Sequence, residues 1–136
     1  MTKASPTLCA LASVLYLAMF SGGCAFDIVS VKQRPTAFSQ MGEPGPLMVL
    51  QYEATVGIGT GFTTTLKRGT TWRIVGRIPA GDVYETRDQV VTVEASNIHE
   101  ARPVINNGAV VGFYLPVERT FVRASEAVPV TFQISH

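Results

Sequence analysis

The stretch Thr71 to Ile78 changes character at every second residue. Trp72, Ile74 and Ile78 fall on one side, with Gly76 between them. Thr71, Arg73, Val75 and Arg77 fall on the other. Side chains alternate across a β-strand, so this pattern asks for a strand with one face on a core and one in water. A helix would scatter the same residues around its circumference. The signature recurs: Val91, Val93 and Ala95 alternate, and so do Val128, Val130, Phe132 and Ile134. Leu47 to Ala54 reads as a further strand. Ile98 to Ile105 and Ala109 to Leu115 flank Asn106-Asn107-Gly108. Asn-Gly accepts the positive φ of a two-residue hairpin turn, so these flanks are expected to pair. Pro116 ends the second arm because it cannot donate to a ladder.

Nothing after the N-terminal region shows a capped apolar period of 3.6. Short, closely spaced strands without helices predict an all-β fold, a small antiparallel β-sandwich or barrel. The chain has 136 residues, the length of one domain. Its body is expected over 47–136. Before it, Phe26 to Val31 reads as a short first strand. Lys32 to Pro46, with Pro35, Gly42, Pro44, Gly45 and Pro46, reads as a loop or spacer.

The first 23 residues have the three-part layout of a secretory signal peptide. Lys3 supplies the positive charge, Leu8 to Phe20 is apolar and uncharged, and Ser21-Gly22-Gly23-Cys24 closes with small residues. A spanning helix needs about 20 apolar residues, more than this run offers. The end of the segment resembles a bacterial lipobox, with Gly23 and Gly22 before the cysteine. Ser21 stands where that family usually has Leu. The resemblance implies cleavage before Cys24, acylation of its sulfur and amine, and a membrane-held N-terminus over 24–46. Ala25 and Phe26 follow, and neither is the Asp that commonly retains such lipoproteins at the inner membrane. The resemblance therefore implies the outer membrane, facing the periplasm. The alternative is ordinary cleavage after Ala25 and a soluble periplasmic protein.

Charge and cysteine content narrow the chemistry. The formal net charge is +1, with Lys3 in the export segment. A nearly neutral chain has no electrostatic footprint for nucleic acid. Cys9 lies in the export segment, so Cys24 is left without an internal disulfide partner. Gly57-Ile-Gly-Thr-Gly61 lacks the Lys-Ser/Thr of a phosphate loop and reads as a glycine bend. His99-Glu100 is half of a zinc-protease motif, but Pro103 stands where the second histidine belongs. No catalytic, metal or cofactor residues are assigned. Arg73 and Arg77 are expected on one outer face, either simply solvated or as a contact for anionic head groups or an acidic partner. Phe113 and Tyr114 offer either a docking edge or a core strand beside Trp72. The expected function is a non-enzymatic binding or tethering module in the envelope, its partners the membrane and an envelope protein. The alternatives are a periplasmic hydrolase using His99 with a nearby acid, for which Asp82 and Asp88 can be drawn, and a carrier of a small ligand in a hollow barrel.

Overall fold

The computed structural model describes residues 32–135 apart from Thr60 and Ser96. The export segment, Cys24 and the expected strand at Phe26 to Val31 lie outside the described residues. The strands are β1 (Gln33–Pro35), β2 (Ser39–Gln40), β3 (Met48–Leu50), β4 (Ala54–Gly57) and β5 (Thr63–Leu66). They continue as β6 (Thr71–Ile78), β7 (Gly81–Thr86), β8 (Thr92–Glu94), β9 (Ile98–Glu100) and β10 (Arg102–Asn106). The last are β11 (Ala109–Leu115), β12 (Thr120–Pro129) and β13 (Phe132–Ile134). Every pairing is antiparallel, and no helix occurs among the described residues. The chain is all-β.

The main sheet runs β1-β12-β11-β10-β7-β6-β3-β13, with β2 also on β6. Such an order cannot lie flat. The strands β12, β11, β10, β7 and β6 separate β1 from β2, a flat distance of roughly 29 Å at about 4.8 Å per step. The backbone from Pro35 to Ser39 spans at most about 14 Å. The sheet must therefore coil until one short segment bridges it. Phe38 shows which face that segment crosses, because its ring stacks on Tyr114 at 5.0 Å. Beneath it lies a small cluster of Ile78, Val83, Val104 and Tyr114. On the opposite face, β12 runs on into β13, and Phe132 packs on Trp72 at 5.2 Å. There the larger core, including Leu50, Val56, Leu66, Trp72, Val93 and Phe113, is shared by the sheet and the β4–β5 and β8–β9 hairpins. The two hairpins are joined where Thr64 Oγ1 donates to the Thr92 carbonyl at 2.9 Å. The result is a small sandwich whose larger layer is a coiled sheet.

Several local expectations need correction. Ile98 to Ile105 and Val128 to Ile134 are not single strands, since the first divides into β9 and β10 and the second between β12 and β13. Lys32 to Pro46 is not simply a spacer, since β1 pairs with β12 and β2 with β6. Strands this short leave no readable period, and Pro35 is tolerated because β1 is an edge. Leu47 to Ala54 is not one strand. The chain leaves the main sheet after Leu50 and enters the β4–β5 hairpin at Ala54. Finally, Trp72 and Ile78 do not share a face. Ile74 pairs with Tyr84, but Gly76 pairs with Val83, so β6 holds one residue more than β7. A bulge inverts the parity of everything beyond it. Trp72 is buried in the larger cluster and Ile78 in the smaller one. Gly76 sits at this bulge because a Cβ there would meet the Phe38 ring and, at 2.6 Å, the Ser39 carbonyl.

The hairpin between β10 and β11 forms as expected. Asn106 pairs with Ala109, and Asn107 and Gly108 have φ of 51° and 75°. Gly108→Val is expected to lower stability by more than about 1 kcal/mol, since a β-branched residue resists this conformation. Urea denaturation checks it, and an unchanged midpoint would mean the turn tolerates a negative φ.

Candidate functional site

The four residues expected to contact a partner are not brought together. Arg73 and Arg77 lie on opposite sides of the β6 bulge and therefore point to opposite faces. Each is paired across the strand, Arg73 Nε with Glu85 Oε2 at 3.3 Å and Arg77 Nε with Asp82 Oδ1 at 2.9 Å. Phe113 and Tyr114 are buried, one in each cluster, so this stretch forms core and not a docking edge. Gly59 and Gly61 take φ of 82° and 84° between the arms of the β4–β5 hairpin, where a glycine bend belongs.

His99 on β9 does meet an acid, and it is neither Asp82 nor Asp88. Asp82 is engaged by Arg77, and Asp88 Oδ2 accepts the Thr71 N–H at 3.0 Å. The partner is Glu118, whose Oε1 lies 2.6 Å from Nδ1 of His99. An ionised carboxylate only accepts, so the ring N–H donates. Glu118 belongs to the turn between β11 and β12. That turn closes where the Arg119 N–H donates to the Leu115 carbonyl at 2.8 Å, with Arg119 at a φ of 56°. No sequence spacing links His99 to this turn.

The hydrogen bond from His99 holds the Glu118 carboxyl below its ordinary pKa, against an opposing effect of desolvation. Because its folded-state pKa is depressed, the pair contributes fully above the unfolded value. That contribution is lost as pH falls through the folded one. His99→Ala is expected to return the Glu118 titration upward toward the usual carboxylate range. NMR titration of the side-chain carboxyl carbon reads this directly, and an unmoved midpoint would show that the ring is not the cause.

A larger concavity lies elsewhere, beside β1 and β12, with a volume of about 660 Å³. Its rim carries Lys32, Arg34 and Arg123, and its walls include Ile58, Val111 and Phe121. Among the described residues, no Asp or Glu lines it. The cavity exists because β12 is bulged. Gly112 pairs with Arg123 and Val110 with Val128, so β12 arches outward over Ala124 to Ala127 while β11 passes only Val111. The end of β4 packs against that arch, where a Cβ on Gly57 would touch Ser125 Oγ at 3.7 Å. Lys32 and Arg34, two positions apart, would share a strand face. That signal was present in the sequence but lay in a segment that reads as a spacer.

A second concavity of about 440 Å³ lies near Tyr84, Asp82 and Phe132. Burial, with help from the Asp82 charge, pushes the Tyr84 hydroxyl pKa up. Among the described residues no three His, Cys, Asp or Glu are grouped as metal ligands. Comparison of the chain with protein-family models, curated proteins and solved structures gives no match.

Proposed function

We propose that the protein is a lipid-anchored component of the bacterial envelope whose β domain is a non-enzymatic binding module. What supports this reading is the way the N-terminus joins the domain. Lys32 stands immediately before β1, and β1 is hydrogen-bonded into the main sheet. From Cys24 to Lys32 the chain reaches about 29 Å at most. A domain held by acyl chains on Cys24 therefore works close to the lipid surface. Two or more acyl chains make such attachment stable. The lipobox resemblance and the residues after Cys24 favour the outer membrane, facing the periplasm. Mass spectrometry of the mature N-terminus is expected to find Cys24 acylated. An unmodified chain beginning at Phe26 would overturn the anchor and leave a soluble periplasmic protein.

The His99–Glu118 pair favours a second reading, a periplasmic hydrolase in which Glu118 orients His99 as a general base. Hydrolysis of an activated ester by the exported protein, abolished in His99→Ala, would support it. A rate that survives the substitution would remove it.

A further inference from the structure

The cations around the larger cavity are placed in a way that folding alone does not reward. Arg34 pairs with Phe121 and Gln33 with Val122. Continuing that register by one step sets Lys32 beside Arg123. Directly opposed residues in an antiparallel pair share a face, with Cβ atoms about 5 Å apart, and the next same-face position lies roughly 7 Å along the strand. Lys32, Arg34, Phe121 and Arg123 therefore crowd one face of the β1–β12 ribbon. Like charges directly opposed are destabilising. Elsewhere on the sheet the chain avoids this, since Arg73 and Arg77 each face a carboxylate. No ion pair is made by Lys32, Arg34 or Arg123 among the described residues, and no carboxylate lines the cavity beside them.

The cavity is also apolar on one side. Ile58, Val111 and Phe121 present hydrocarbon within the same concavity that the cations rim. A bare inorganic anion would leave that wall unused, and an uncharged lipid would leave the cations unpaired. A volume of about 660 Å³ falls in the range of small-molecule sites. We propose that this cavity binds an anionic amphiphile. Lys32, Arg34 and Arg123 hold a phosphate or carboxylate head, and the first part of the chain lies on Ile58, Val111 and Phe121. The site belongs to the described domain and does not rest on acylation of Cys24, so either idea can fail without the other.

The test is a titration of the exported protein with dodecyl phosphate, dodecanoate, dodecanol and inorganic phosphate, at low ionic strength and below micelle-forming concentrations. One or both anionic amphiphiles are expected to bind, and which of them binds identifies the head group. Dodecanol and inorganic phosphate are expected to bind about tenfold more weakly or worse. Arg34→Glu and Arg123→Glu change exposed side chains. Each is expected to weaken binding about tenfold or more, while thermal stability is unchanged or raised as the crowded charges are relieved. Arg73→Ala, outside the cavity, is expected to bind as the parent does. Dodecanol binding as tightly as the anions would overturn the proposal in favour of a purely apolar pocket. Inorganic phosphate matching the amphiphiles would reduce the site to a bare anion site. No binding, or full binding by both charge-reversed variants, would also overturn it.

Discussion

Trp72→Ala is expected to abolish the folded domain. Trp72 is 0 % exposed and stands where β6, β13 and β7 meet. Its ring packs on Phe132 at 5.2 Å and on Tyr84 at 6.2 Å. Its Nε1 donates to Thr70 Oγ1 at 2.8 Å, and that hydroxyl in turn donates to the Lys67 carbonyl at 2.6 Å. Truncation empties the largest fully buried side-chain site and strips a partner from Thr70, itself a buried polar residue. Removing a buried tryptophan costs about 3 to 5 kcal/mol. A domain of this size has only about 5 to 15 kcal/mol in total. Trp72→Phe keeps an aromatic ring and loses the hydrogen bond, so it is expected to fold with reduced stability. Circular dichroism and chemical denaturation separate the two. If the alanine variant melts cooperatively near the parent, the larger core does not depend on this side chain.

How far the sequence foretold this follows from what period two can and cannot carry. It located β6 and turned Trp72 inward, because alternation over several residues reports burial directly. It located the β10–β11 hairpin, because Asn107 and Gly108 must adopt positive φ for a two-residue turn. Alternation assumes an unbroken ladder, and β6 and β12 both break theirs. One inserted residue in β6 was enough to send Arg73 and Arg77 to opposite faces and to separate Ile78 from Trp72. The pattern Trp-Arg-Ile-Val-Gly-Arg-Ile reads as regular because Gly76 has no side chain to betray the bulge.

The missed contacts share a second cause. His99 meets Glu118, and Lys32 and Arg34 come to line one cavity with Arg123, only because the fold joins segments far apart in the chain. Electrostatic partners carry no local period. β1 and β2 were hidden for a related reason. Each is too short to alternate, and their place is set by the strands they bridge. Gly42 and Pro44 do lie outside the strands, yet Pro35 ends β1 and the segment from Gln33 to Gln40 is stitched across the coiled sheet.

The same bulged region gives the second large effect, at Gly112. This residue lies on β11, where Val104 of β10 pairs on one side and Arg123 of β12 on the other. Its φ is not in the left-handed region, so the requirement for glycine is steric. A Cβ there would collide with the Val122 carbonyl oxygen and approach the Phe121 ring at 2.6 Å. A ring can rotate away, but a carbonyl within a paired strand moves only if the β11–β12 ladder moves. Overpacking a well-filled site costs typically about 1 to 3 kcal/mol. Gly112→Ala is expected at or above the top of that range, because the obstacle is backbone. Gly42→Ala is the matched control. A Cβ at Gly42 meets nothing within 4 Å, and its effect should stay within about 0.5 kcal/mol. Urea midpoints of the two variants against the parent measure the difference. Phe121 also meets the new methyl and walls the larger cavity, so Gly112→Ala should disturb the cavity before the distant hairpins. Equal midpoints for the two glycine variants would mean that β11 and β12 do not approach as closely as the bulge between Val110 and Gly112 requires.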